Sequence, residues 1–252
     1  MPAIFFGHGS PMNAIEENTY TKTWTQFGQD FPRPKAILMV SAHWMTHGIA
    51  VTAMEKPKTI HDFGGFPQAL FDMQYPAPGS PALARRVAEL LAPLPVQQNQ
   101  DWGLDHGTWS VLTKTYPLAD IPVVQLSLDL SQPASWHFDI GKKLACLRDE
   151  GIMLMASGNV VHNLRRMSAD PAGHAWAHRF NDKMRAALLS ADWDKVVHYE
   201  QFGQDAALSV PTNEHFLPLL YVIGSHQPED QLSIASDGIE LGAISMMSVV
   251  LS

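Results

Sequence analysis

Residues 3–11 read Ala-Ile-Phe-Phe-Gly-His-Gly-Ser-Pro, an apolar run followed at once by a glycine-rich turn that contains a histidine. Residues 37–44, Ile-Leu-Met-Val-Ser-Ala-His-Trp, have the same order, with the apolar run first and a histidine shortly after it. Short continuous apolar runs are typical of strands that are buried on both faces of a sheet. Both stretches therefore predict buried central strands that end beside a histidine.

Apolar runs of this kind recur along the chain and alternate with amphipathic stretches. They predict strands at residues 3–6, 36–41, 49–53, 123–128, 152–156 and 243–251. Helices are predicted at residues 81–91, 136–148, 175–189 and 216–222. Ser80 can cap the first of these helices, with Pro81 in its first turn. The alternation predicts an α/β fold, in which a central, mostly parallel or mixed sheet carries helices on both faces. No repeat or linker divides the chain, so we expect residues 1–252 to form a single domain.

Composition excludes several classes of partner. The formal net charge is −8 without a long run of either sign, which argues against nucleic acid, because a phosphate-backbone binder needs a basic surface. No apolar run approaches the roughly 18–20 residues that a membrane span needs, so no membrane partner is expected. The single cysteine, Cys146, fits a reducing compartment, and the N-terminus runs straight into a strand without a basic leader. These features predict a cytoplasmic location.

The positions of the histidines point to a metal site. His8, His43 and His162 each follow a predicted strand, and parallel strands would bring them to one edge of the sheet, where such folds bind ligands. Neutral imidazole is the commonest metal ligand and is also suited to proton transfer near pH 7. A single histidine at a strand end is usually an ordinary polar residue, but three at equivalent positions favour a site. His106 and His215 lie in polar, turn-rich segments and are further candidates.

Six motifs, taken together and in order, carry a family resemblance. They are Gly-His-Gly-Ser-Pro (7–11), Ser-Ala-His-Trp (41–44), Ile-His-Asp-Phe-Gly-Gly-Phe-Pro (60–67), Asp-His-Gly-Thr-Trp (105–109), Gly-Asn-Val-Val-His-Asn (158–163) and Glu-His-Phe-Leu-Pro-Leu-Leu (214–220). The set resembles the class III extradiol dioxygenase superfamily, and most closely its branch similar to 4,5-DOPA extradiol dioxygenase. The resemblance extends from residue 3 to the C-terminus, so it implies one catalytic domain.

The resemblance also implies an activity and a cofactor. Members of the superfamily use O₂ to open the ring of a small aromatic diol beside a hydroxyl group. A DOPA-like catechol and a muconic semialdehyde-type product are therefore the expectation here. The implied cofactor is a mononuclear Fe(II) ion, often replaced by Zn(II) in the isolated protein.

The resemblance assigns metal ligands residue by residue. His8 and His43 match the first two ligands of the family. The third is a glutamate in much of the superfamily, and the matching segment offers both Glu214 and His215. Neighbouring residues at a helix start point about 100° apart, so the two can hardly bind one ion. We favour His215, with Glu214 as the alternative ligand.

The resemblance gives roles to the remaining candidates as well. His162 matches the acid–base histidine, and His106 a histidine that faces the oxygen or the substrate. His61 and Trp109 are candidates for the pocket wall, with a structural role left open for both.

Two other functions remain open at the level of sequence. A three-histidine zinc site with a nearby base would also suit a zinc-dependent hydrolase or amidase. A non-catalytic metal-binding module on the same fold is the other.

Overall fold

A computed structural model describes residues 1–170 and 172–252. The strands are β1 Ala3–Gly7, β2 Ala36–Thr46, β3 Ile49–Thr52, β4 Lys58–Thr59, β5 Val96–Asn99, β6 Gly103–Leu104, β7 Val123–Asp129, β8 Ile152–Gly158, β9 Leu232–Ser236, β10 Ile239–Glu240, β11 Ile244–Ser245 and β12 Ser248–Leu251. The helices are α1 Thr19–Asp30, α2 Gln68–Phe71, α3 Pro81–Leu91, α4 His106–Thr115, α5 Ala134–Leu144, α6 Ala175–Leu189, α7 Trp193–Val197, α8 Gln204–Ser209 and α9 Leu217–Gly224. Within the described ranges, none of these helices combines the length and apolar character that a membrane crossing requires.

Eight strands form one sheet in the order β5-β3-β7-β2-β8-β1-β12-β9. The four central strands, β7, β2, β8 and β1, are parallel to one another. Antiparallel pairing occurs between β3 and β7 and where β12 and β9 extend the sheet beyond β1. The prediction of a mostly parallel, mixed sheet is confirmed. The carboxyl ends of β2, β8 and β1 therefore lie side by side at one edge.

Both faces of the sheet are covered by helices, as predicted. Alternate residues of β1 enter different cores: Ala3 and Phe5 face one side, while Ile4 and Phe6 face the other. Helices α3, α5, α6 and α9 pack on the Phe5 side, and α1 and α4 pack on the Phe6 side. Because both faces are buried, the central strands need continuous apolar runs, which is why they were visible in the sequence.

Several predicted boundaries differ from the structure. The predicted strand at 243–251 is interrupted at Met246 and Met247, because β11 pairs with β10 in a separate hairpin whereas β12 pairs with β1. The predicted helix at 136–148 ends at Leu144 and continues as a 3₁₀ turn. Helix α4 was not predicted, since its first turn is rich in polar residues and glycine.

Arg148 ties the N-terminal residue of the chain to the segment that follows α9. Its guanidinium Nη2 lies 2.6 Å from Oδ1 of Asp230, and both side chains are buried. The same guanidinium donates through Nε to the carbonyl oxygen of Met1 and through Nη1 to that of Ser225. Removing it would leave a buried carboxylate without its partner.

We expect Arg148→Ala to lower the free energy of unfolding by about 3–5 kcal/mol, because an uncompensated charge stays buried. Arg33→Ala is the matched control, since the Arg33–Asp120 pair is exposed and should contribute less than about 1 kcal/mol. Urea unfolding followed by circular dichroism measures both. Equal losses in the two variants would contradict this account.

Candidate active site

The ends of three neighbouring strands position the first histidines. His8 directly follows β1, and its backbone N–H donates to the carbonyl oxygen of Gly158 at the end of β8. His43 lies within β2, inside the irregular stretch between Val40 and Met45 where the pairing with β7 shifts register. The predicted meeting of strand ends at one edge is therefore observed.

His215 comes from a different part of the chain, immediately before α9. Its carbonyl oxygen accepts a hydrogen bond of 2.8 Å from the backbone N–H of Asn159. A Cβ atom at Gly158 would collide with that same carbonyl oxygen. Glycine at this position is what allows the His215 segment to approach the end of β8.

The rings of His8, His43 and His215 converge on one point. Each offers a nitrogen, and these nitrogens all lie within 4.8 Å of one another. The Nε2 atoms of His8 and His43 are 3.3 Å apart. Two nitrogens about 2.0–2.1 Å from one metal ion, at an angle of about 90–110°, would be about 2.8–3.4 Å apart. The spacing therefore fits two ligands of a single ion.

In all three histidines, the other ring nitrogen, Nδ1, faces a partner outside this centre. Metal-binding histidines use this arrangement to fix the ring and leave Nε2 for the ion. The partners are Ser157 Oγ for His8 at 2.7 Å, Asp62 Oδ2 for His43 at 3.5 Å and Glu214 Oε1 for His215 at 3.4 Å. Glu214 thus lies beside Nδ1 of His215 and is absent from the converging set, although it forms a separate group of possible ligands with His162 and His215.

The histidines are uncharged at neutral pH. Burial, with repulsion from the neighbouring imidazoles, holds the pKa of His8 and that of His215 well below the usual range. Burial and His106 lower the pKa of His43 to about 3. Burial also lowers the pKa of His162 to about 4, against the opposing influence of Glu214. Neutral imidazole is the form that binds metal, so the donor set fits Fe(II) or Zn(II).

Asp62 links His43 to His106. Its Oδ1 accepts the backbone N–H of His106 at 2.8 Å, and its Oδ2 lies 2.9 Å from His106 Nδ1. Burial alone would raise the pKa of Asp62, but hydrogen bonds and charge from His106 outweigh burial and lower it. His43, Asp62 and His106 form a second group of possible ligands. Both oxygens of Asp62 are already engaged, so the first set is the better donor set.

Helix α4 holds His106 in place. Asp105 caps this helix, accepting the backbone N–H of Thr108 at 3.2 Å and the hydroxyl of Ser41 at 2.7 Å. Gln125 also donates to Asp105. Burial, with the nearby charge of Asp62, raises the pKa of Asp105 to about 6. The cap therefore ties the start of α4 to β2, two residues before His43.

A cavity of about 450 Å³ opens above this centre. All five predicted histidines line it, and apolar side chains form most of the remaining wall. The histidines are His8, His43, His106, His162 and His215; the apolar residues are Pro11, Phe63, Phe66, Leu164, Met167, Leu241 and Ile244. The ring of His162 stacks on that of His215, with centroids 3.4 Å apart and planes inclined by 6°. A larger groove, about 600 Å³, lies elsewhere along residues 55–57 and 76–82 and has no histidine in its wall.

His61 and Trp109 lie behind this wall. His61 Nε2 is 2.9 Å from the carbonyl oxygen of Met73, and the buried indole of Trp109 donates to the carbonyl oxygen of Ile60. Phe63 packs against both rings and lines the cavity in their place. This arrangement does not support the predicted contact of His61 and Trp109 with substrate. It favours a structural role for both residues.

Sequence reasoning missed Asp62, Ser157 and Phe63. Asp62 and Phe63 directly follow His61 within the quoted motif at 60–67, so an acidic residue near a candidate histidine was the available signal. Ser157 is the last strand residue before Gly158 and gave no signal of its own.

Comparisons with known proteins identify the family of the chain. Residues 2–251 match the family described as the catalytic LigB subunit of aromatic ring-opening dioxygenase. A 4,5-DOPA dioxygenase extradiol from Escherichia coli K12 is 57% identical over an alignment 255 residues long. The alignment covers 99% of this chain and 94% of the relative. One from Beta vulgaris is 38% identical, covering 88% of this chain and 85% of the relative.

The fold also matches a solved structure. The crystal structure of an uncharacterized protein from Escherichia coli K12 superposes with a TM-score of 0.88 at 51% identity, covering 100% of both chains. The family match, the relatives and the fold all agree. The chain belongs to the LigB family of class III extradiol dioxygenases, which are metal-dependent, and it is an extradiol dioxygenase.

Proposed function

We propose that this enzyme opens the ring of a DOPA-like catechol with O₂ and forms a muconic semialdehyde-type product. A carbon–carbon bond beside one hydroxyl-bearing carbon breaks, and both atoms of O₂ enter the product. Residues 1–252 act as one catalytic domain. The metal ligands are His8, His43 and His215, and the functional ion is Fe(II), with Zn(II) as a substitute in the isolated protein.

One observation carries the ligand assignment. Three neutral imidazoles, two of them buried and that of His43 partly exposed, converge on a point, and each has its outward nitrogen beside a separate partner. Glu214 faces the back of His215, so a role in orienting that ring suits it better than a role as ligand. When bound, the ion would lower the pKa of a diol hydroxyl and leave coordination positions open for diol and O₂.

His162 is the proposed acid–base residue. Burial keeps its ring uncharged, so the ring is free to accept a proton from a diol hydroxyl and return it later in the reaction. The nearby carboxylate of Glu214 favours the charged ring that this transfer creates. A positioned proton shuttle of this type contributes about 10²–10⁴-fold to rate. His106 also lines the cavity, and its proposed role is to hydrogen-bond a substrate oxygen.

The cavity suits an aromatic ring with a short side chain. Phe63, Phe66 and Ile244 form apolar walls, and none of the described residues that line the cavity is Lys or Arg. At the mouth, Leu164 is half exposed and belongs to the same 3₁₀ turn as Arg165 and Arg166. A carboxylate on a two-carbon arm, as in DOPA, would reach this mouth. A carboxylate attached directly to the ring would stay between the apolar walls.

The first test is O₂ consumption by protein loaded anaerobically with Fe(II), using DOPA and a small panel of catechols. We expect stoichiometric O₂ uptake and a new visible absorption band from the semialdehyde. Protein shown to hold one ion per chain that consumes no O₂ with any catechol would contradict the proposed function. A zinc hydrolase assay on the same sample would then be the next step.

Metal content separates the ligands from the acid–base residue. We expect His8→Ala, His43→Ala and His215→Ala to lose the metal, because each removes a donor. His162→Ala should keep the metal and lose about 10²-fold or more in kcat. Elemental analysis of purified protein measures the first effect. His137→Ala is the control, since His137 is equally buried but hydrogen-bonds Tyr221, away from the cavity.

Glu214 provides a sharper version of this experiment. As an orienting partner of His215, Glu214→Gln should weaken metal binding by about 10–100-fold without abolishing it. Competition with a chelator gives the affinity. If Glu214→Gln loses all of its metal while His215→Ala retains it, Glu214 is the third ligand and the assignment made here is wrong.

Substrates that differ only in the ring substituent test the apolar walls. We expect KM for protocatechuate to exceed that for 4-methylcatechol by about tenfold or more, since its carboxylate would be buried without a cationic partner. The diol is the same in both, so differences at the metal are minimised. Equal KM values would show that the walls do not discriminate against the ring carboxylate.

A further inference from the structure

Asp62 contacts His106 at two points, once at the backbone N–H and once at the imidazole ring. Its Oδ1 accepts the backbone N–H of His106, which fixes the first turn of α4 relative to the 60–67 segment. Its Oδ2 lies 2.9 Å from Nδ1 of the same residue, which fixes the ring. Both side chains are largely buried. The first contact holds the backbone of the segment and the second holds the ring, so the two contacts do different work.

A carboxylate has no hydrogen to donate, so the nitrogen that faces it must carry one. We infer that Asp62 is a positioning residue that fixes His106 in the tautomer with hydrogen on Nδ1 and none on Nε2. Since the ring of His106 lines the cavity, Nε2 is the nitrogen left for the substrate. The effect of this tautomer on the substrate rests on the proposed function. The tautomer itself follows from the contact between Asp62 and His106 alone.

The consequence concerns the direction of a hydrogen bond. In its neutral form, a ring with a bare Nε2 accepts a hydrogen bond from a diol hydroxyl and cannot donate one to an oxygen anion. His106 therefore receives the hydrogen of one hydroxyl as the diol enters. The same Oδ2 lies 3.5 Å from Nδ1 of His43. One carboxylate therefore faces Nδ1 of both rings, which leaves Nε2 of His43 for the metal and Nε2 of His106 for the substrate.

A purely structural role for Asp62 makes a different prediction, and Asp62→Asn separates the two. Asparagine keeps an oxygen that can accept the backbone N–H of His106, so the segment stays attached. Its amide group places N–H hydrogens where Oδ2 was, opposite Nδ1 of His106. The ring must then move its hydrogen to Nε2 to accept this bond. Shape is preserved while the tautomer is reversed.

The test is a long-range proton–nitrogen correlation spectrum of Zn(II)-loaded protein labelled with ¹⁵N-histidine, at neutral pH. Signals of His106 are assigned from their loss in His106→Gln. We expect wild-type His106 to be protonated on Nδ1 and bare on Nε2, and Asp62→Asn to reverse this. Wild-type protein with hydrogen on Nε2, or an unchanged tautomer in Asp62→Asn, would overturn the inference.

Kinetics of the Fe(II) enzyme then test the functional part. With metal content matched to wild type, Asp62→Asn should lose about 10²-fold or more in kcat, with a smaller change in KM. Asp72→Asn is the control, because Asp72 is exposed and its carboxylate accepts a hydrogen bond from the side-chain amide of Gln68, away from the cavity. An unchanged kcat in Asp62→Asn would contradict the claim that the tautomer of His106 matters for turnover. Wild-type protein without O₂ uptake would contradict the proposed function instead, and the spectra would still decide the tautomer.

Discussion

In the centre of the sheet, β2, β8 and β1 run in the same direction and end beside one another, and the active site is built outward from those ends. This shared direction places His8 and His43 at one edge. Glycine at position 158 then leaves room for the backbone of His215 to pack against the end of β8. Residues from three distant parts of the chain thus meet without a long loop, and rigid strands support the ligands at the points where position matters most.

Imidazoles that lie this close together would repel one another if they were charged, and the buried site disfavours their charged forms. Five histidines line one cavity, and a positive charge on any of them would repel charge on the others. Burial lowers the pKa of His8, His43, His162 and His215, and partners such as Ser157 and Asp62 face the outward nitrogens. The site is therefore prepared for a cation before one arrives, because the donors are already deprotonated and their rings are already oriented.

The sequence allowed the central strands and the five histidines to be predicted for a clear physical reason. Strands buried on both faces need continuous apolar runs, and residues just beyond such runs lie at the functional edge. The edge strand β5 has three polar residues among its four and lacks this signal. Sequence reasoning chose His61 and missed the neighbouring Asp62. Tertiary packing decides which of the two side chains faces the cavity, and local sequence does not show it. Its partner His106 lies 44 residues further along the chain, beyond the reach of local patterns.

The pairing of β1 has a consequence for the order of events during synthesis. This strand lies between β8 and β12, so Ala3 faces both Leu154 and Leu251. On the ribosome, β1 emerges first but can gain its first neighbour only after β8 is made, and it needs nearly the whole chain before β12 completes the other flank. His215 also emerges late. A nascent chain can therefore assemble its helices early, but its metal-binding chemistry becomes possible only near the end of translation.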